Sequence, residues 1–141
     1  MMASLLDRRH RSTRIEGRLH GRVVLVVEDE YYVASDASEA IKAAGGIILG
    51  PCPTVASTMH VLEEFQPSHA VVDLNLDGQG PSFDIARQLK AREVQIIFMT
   101  GYDASVLPDD LAGVPCIQKP MTYDEVVTVL ARTPRRTICY Q

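Results

Sequence analysis

Cysteine is scarce in this chain. Three occur in 141 residues, Cys52, Cys116 and Cys139, an odd number with no C-x-x-C spacing. That argues against a disulfide framework and, with no paired histidine motif, against a zinc site. Unpaired thiols fit a reducing compartment, read here as the cytoplasm. Long apolar runs are missing as well. The longest is Val23–Val27, five residues, whereas a membrane-spanning helix needs about 20. No long apolar stretch follows the basic N-terminus, so no secretory signal is expected. Internal repeats and low-complexity segments are absent too. What remains is ordinary for one globular domain. Apolar residues make up 46% and charged residues 23%, enough to build a core without covalent staples.

The net charge of −4 hides an asymmetry. Residues 1–22 carry six arginines against two acids, and the rest of the chain carries eight basic against sixteen acidic groups. An acidic body lacks the basic face that nucleic acid requires, so no nucleic-acid partner and no membrane partner is expected. Arg8-Arg9-His10-Arg11 reads most simply as a solvated tail, the other reading being contact with nucleic acid or a membrane surface. Ile15-Glu16-Gly17-Arg18 matches a protease-cleavage tetrapeptide used in fusion proteins. Residues 1–21 are therefore set aside as a basic N-terminal extension or an added tail. Residues 22–133 are the expected folded domain, and 134–141 a C-terminal tail.

From Arg22 onward the pattern alternates. Val23–Val27 is a short β-branched run, as in a strand buried on both faces. Val33, Ala37, Ala40, Ile41 and Ala44 then form a helical stripe, closed by Gly45-Gly46. Ile47–Leu49 predicts a second strand, and Thr54 caps a helix with Val55, Met59 and Leu62 inward. Ala70–Val72 predicts a third strand ending at Asp73. Ser82 is positioned to cap a helix running to about Ala91. Val94–Met99 predicts a fourth strand, followed by a weak helix near 105–111. Pro115–Gln118 predicts a fifth strand. Thr122-x-x-Glu125 has capping-box spacing and opens a last helix through Val126, Val127 and Leu130. The tally is (βα)₅, an α/β fold: a doubly wound, five-stranded parallel sheet of flavodoxin-like order.

Ligands in such sheets sit at the carboxyl ends of the strands. Strand 1 ends in Glu28-Asp29-Glu30, strand 3 in Asp73, strand 4 in Thr100 and strand 5 in Lys119-Pro120. Singly, each has a plain structural reading: helix N-terminal charge, Asx turn or strand end. Together they gather carboxylates, a hydroxyl and an ammonium on one edge. Crowded carboxylates suit a hard cation such as Mg²⁺. A lysine supplies a point charge for an anion. The set reads as a Mg²⁺-assisted phosphoryl-transfer site with a carboxylate nucleophile.

Four motifs carry a resemblance: Val-Val-Glu-Asp-Glu at 26–30, Val-Val-Asp-Leu-Asn-Leu-Asp-Gly at 71–78, Met-Thr-Gly at 99–101 and Gln-Lys-Pro at 118–120. With them, Val23 to Thr133 resembles the receiver domains of bacterial two-component response regulators. The resemblance implies that Asp73 accepts a phosphoryl group from a histidine kinase or phosphotransfer protein. It implies that Glu28 and Asp29 organise Mg²⁺, that the backbone carbonyl of Asn75 is a metal ligand, that Thr100 moves toward the phosphoryl group, and that Lys119 pairs with phosphorylated Asp73. A cis Lys119–Pro120 bond and a downstream protein partner are implied too. Docking is expected on the first helix and the strand-end loops, and output through the last strand and helix.

Two positions depart from the common pattern. Cys116 stands where a switch aromatic usually sits, three residues before Lys119. Glu28 replaces the commoner Asp and is one methylene longer. Phe98-Met99-Thr100-Gly101-Tyr102 resembles a subgroup with a Phe-Ala-Thr-Gly-Tyr motif and a short or mobile fourth helix. Eighteen residues separate Thr100 from Lys119, interrupted by Pro108, Gly113 and Pro115, which fits. Tyr102 or the 102–114 loop is the candidate for the switch, the plainer reading being that Tyr102 packs on the loop. His60 and His69 fit no ligand spacing and read as surface or capping residues. Cys52 and Cys116 read as small buried apolar residues.

Only about eight residues follow the last helix, so a single-domain regulator is the expectation. The alternative is a phosphorylation-independent interaction module on the same fold. A Mg²⁺-dependent phosphatase would need a second Asp where Asn75 stands. A nucleotide binder would need a G-x-G-x-x-G or P-loop after strand 1.

Overall fold

A computed structural model of the chain describes residues 17–76, 78, 81 and 83–134. The strands are β1 (Val23–Val27), β2 (Ile47–Cys52), β3 (His69–Asp73), β4 (Gln95–Thr100) and β5 (Cys116–Gln118). The helices are α1 (Tyr31–Ala43), α2 (Val55–Glu64), α3 (Asp84–Ala91) and α4 (Tyr123–Arg132). All strand pairings are parallel, in the order β2-β1-β3-β4-β5. This is the doubly wound sheet that the alternating pattern predicts.

Alternation within each strand builds two cores, one on each face. Leu25, Val27, Ala70, Val72 and Phe98 pack against Leu62 of α2 and Ile85, Ala86 and Leu89 of α3. Val24, Val26, Val71, Ile97 and Met99 pack against Ile41 of α1 and Val126, Val127 and Leu130 of α4. Both faces are covered, so the central strands read as continuous apolar runs. In the α1 stripe Ala37, Ile41 and Ala44 are buried, with Val33 and Ala40 partly so.

Three expectations are corrected. The helix foreseen near 105–111 is two single 3₁₀ turns, Ala104–Val106 and Asp109–Leu111. Pro108 between them has no N–H to donate and crowds the preceding turn. Among the described residues this crossover therefore holds no α-helix, although Leu111 is fully buried and anchors it. The second strand runs three residues beyond its expected end, through Gly50 and Pro51. It is an edge strand, where a missing ladder donor is tolerated. Residues 17–21, set aside above, belong to the fold. Leu19 is fully buried and its N–H donates to the Ala44 carbonyl at 2.8 Å.

The cap signals at 54 and 122 hold locally, although Val55, expected to face inward, is 38% exposed. Thr54 Oγ1 accepts from Ser57 N–H, and Ser57 Oγ accepts from Thr54 N–H, a reciprocal cap. Thr122 Oγ1 accepts from Glu125 N–H at 3.2 Å. The cap foreseen at Ser82 and the tail residue Cys139 lie outside the described residues.

Candidate functional site

Parallel strands all end on the same edge, so the residues that follow them converge. Asp73 closes β3, the central strand, and shares a face with Val71. Its register with Met99 brings Thr100 of β4 alongside. Lys119 follows β5, and its N–H donates to the Thr100 carbonyl at 2.7 Å. Glu28, Asp29 and Glu30 leave β1 before α1 opens. Asp29, Glu30, Asp73, Asn75, Tyr102 and Lys119, with Gly78 and Gly101, line one cavity of about 420 Å³.

The charged groups are in contact or nearly so. Lys119 Nζ lies 2.8 Å from Glu28 Oε1 and 3.6 Å from Asp73 Oδ2. Carboxylate oxygens of Glu28, Asp29 and Asp73 lie within 4.8 Å of one another. Asp73 Oδ1 accepts from the Asn75 N–H at 3.0 Å. Glu28 is 1% exposed and Asp73 6%, while Asp29 is open to solvent.

Three carboxylates so close would repel without a cation. Burial pushes the Glu28 carboxyl well above the usual carboxylate range, and neighbouring Asp73 pushes the same way, while Lys119 pulls back. Burial alone would lower the Lys119 ammonium's pKa. The hydrogen bond to Glu28 and the charges of Asp73, Glu28 and Glu30 outweigh it and raise it. Glu28, Asp73 and Glu30 thus favour the charged form of Lys119. The donor set is all oxygen and partly open to water, which suits Mg²⁺ over a softer metal.

Thr100 is fully buried, and its Oγ1 accepts from the Tyr102 N–H at 2.8 Å. Tyr102 lies at the cavity wall, next to the hydroxyl it holds. Cys116 does not reach this edge. It is half-buried against the α2/α3 core, its Sγ 3.8 Å from the Val114 carbonyl. The structure thus joins Glu28, Asp29, Asp73, Asn75, Thr100, Tyr102 and Lys119 and leaves out Cys116. The Lys119–Pro120 peptide is cis. Glu30, the third acid of the run that ends strand 1, also stands on the cavity wall; what was not foreseen is that Glu28 is the nearer partner of Lys119.

No protein-family model and no curated protein matches the chain. Solved structures do. SdrG from Sphingomonas melonis Fr1 is 30% identical with a TM-score of 0.66, over 81% of this chain and 95% of that one. The BeF3-activated conformation of SdrG from Pseudomonas melonis Fr1 is also 30% identical at 0.66, over 77% and 92%. The REC domain of the PhyR response regulator from Erythrobacter litoralis has a TM-score of 0.69 over 84% and 98%, and at 20% identity its likeness concerns the fold alone.

Proposed function

The chain belongs to the receiver domains of response regulators, and from that premise we propose that Asp73 accepts a phosphoryl group from a histidine kinase or phosphotransfer protein, with Mg²⁺ as cofactor. A downstream protein partner then reads the modified surface. The observation that carries this is the placement of Asp73 at the floor of an open cavity, 3.6 Å from an ammonium and within 4.8 Å of two further carboxylates. The BeF3-activated form of the 30% identical SdrG supports it.

In this reading an Asp73 oxygen attacks phosphorus. The P–N bond to the donor imidazole breaks, and its electron pair stays on that nitrogen. An aspartyl phosphate results. Such transfers have a loose transition state, so positioning and charge neutralisation dominate. The Asn75 N–H orients the Asp73 carboxylate. Lys119 offsets the charge that phosphate brings. Thr100 offers its hydroxyl to a phosphoryl oxygen. Glu28, Asp29, Asp73 and the Asn75 carbonyl would hold Mg²⁺, which supplies positive charge for the incoming phosphate. Tyr31 and Tyr32 stack edge to face at 5.3 Å and stand 75% and 74% exposed at the start of α1. They give a phosphodonor an aromatic contact beside the cavity.

Tyr102 carries the switch role in place of Cys116, because it alone of the two borders the acceptor cavity. Tyr102→Ala should uncouple phosphate-analogue binding from partner binding, whereas Cys116→Tyr should leave that coupling unchanged. Partner affinity with and without beryllofluoride reads both.

The deciding test is intact mass after incubation with Mg²⁺ and acetyl phosphate, and with a cognate kinase. One added phosphoryl group is expected, and none in Asp73→Asn. No adduct from either donor would overturn the reading and favour a phosphorylation-independent interaction module.

A further inference from the structure

Glu28 has both carboxylate oxygens engaged inside the protein. Oε1 accepts from Lys119 Nζ at 2.8 Å, and Oε2 accepts from the Asp29 N–H at 3.1 Å. The side chain is almost wholly buried. Lys119 is thus held nearer to Glu28 than to Asp73, by 2.8 against 3.6 Å. A glutamate spans this gap where an aspartate, one methylene shorter, would stop short.

We propose that Glu28 is a positioning residue that keeps the Lys119 ammonium nearer to itself than to Asp73 and releases it when its carboxylate turns to a divalent cation. The inference rests on the Mg²⁺-dependent phosphoacceptor reading. It goes further by assigning Glu28 two competing partners. An ammonium and a divalent cation on one carboxylate repel across a short gap, so each weakens the other's hold on Glu28. Cation binding and lysine release are then linked equilibria with one coupling free energy. The lysine becomes more available to a phosphoryl group where metal is also present, while without metal Glu28 competes for it. Glu28 touches no phosphorus in this scheme and acts through Lys119.

A double-mutant cycle on Mg²⁺ affinity tests this. Affinity is read from the amide resonances of Asp29 and Asn75 in the wild type, Glu28→Asp, Lys119→Met and the double variant. Removing the lysine should tighten Mg²⁺ binding about tenfold when Glu28 is present. In the Glu28→Asp background the same change should tighten it less than about threefold, because the ammonium is no longer held there. Equal factors in both backgrounds would mean simple charge repulsion and overturn the proposal. The wild type gives a second measurement that survives a misfolded variant. The Lys119 ammonium should show a protected ¹⁵N–¹H signal without metal, which is lost to exchange as Mg²⁺ saturates. A signal that persists at saturation would overturn the proposal equally. If Mg²⁺ moves neither Asp29 nor Asn75, the phosphoacceptor reading itself fails instead, a separate outcome.

Discussion

His69 begins the central strand at the edge opposite Asp73 and is fully buried, not the surface or capping residue expected. Its Nδ1 meets Ser68 Oγ at 2.8 Å, and its Nε2 has no partner among the described residues. Burial pushes the imidazole down to about 4, and the Arg22 guanidinium adds to the effect. The unfolded chain takes up this proton near pH 6.5, the folded chain only near 4. Stability from this group is therefore complete above pH 6.5 and is lost as pH falls from 6.5 toward 4. The loss amounts to about 3 kcal/mol. Urea midpoints across pH 4–7 should show that slope in the wild type and a flatter one in His69→Leu. An identical slope in both would show that other groups set the acid limb. A lone histidine gives no periodic signal of its own. Its phase could have revealed it, since it lies two and four residues before Val71 and Asp73 on the same strand face. His60, by contrast, is exposed as expected, 3.8 Å from Glu63.

Elements follow their local signals except where those signals compete. Thr54 and Thr122 cap helices because their hydroxyls fill orphan N–H positions, and that chemistry is visible in the sequence. Thr54→Ala should cost about 1 kcal/mol by chemical denaturation. Gly50 and Pro51 look like a strand terminator, yet β2 continues through them. Gly50 has φ +92°, and a Cβ there would lie 2.7 Å from the Cys52 backbone N and 3.0 Å from the Val26 carbonyl oxygen. Gly50→Ala should therefore destabilise the protein by roughly 1–3 kcal/mol, and a change below a few tenths would show that the edge strand yields freely. The β4–β5 crossover is tied down differently. Arg87 Nε meets Asp110 Oδ2 at 3.0 Å, and Lys90 Nζ donates to the Asp110 carbonyl. Both partners are exposed, so Arg87→Ala should leave the melting temperature nearly unchanged while loosening amide exchange in 104–111.

At the scale of the molecule, the N-terminal segment closes the fold. Leu19 fills the α1/α4 core beside Ile41 and Ala44. The Arg22 guanidinium donates to the carbonyls of Ala131 and Thr133 at 3.2 and 3.4 Å, joining the start of β1 to the end of α4. Leu19→Ala should cost about 2–5 kcal/mol, read as a lowered urea midpoint at unchanged slope. A cost under 1 kcal/mol would return this segment to the status of a tail. Charge and the cleavage-like tetrapeptide masked it, because a single leucine among arginines carries no pattern.

The order of residues was enough to set the alternation of strands and helices, and so the parallel sheet and the convergence of Glu28, Asp29, Asp73, Thr100 and Lys119 on one edge. Strand ends must meet when every crossover is right-handed and every strand points the same way. Which of those charges touch was settled by packing in three dimensions. Lys119 comes from β5 at one side of the sheet, and its reach across β4 to Glu28 beyond Asp73 depends on strand order, sheet twist and one extra methylene. That packing also decided that His69 and Leu19 are interior, because burial is a property of what packs on a residue rather than of the residue.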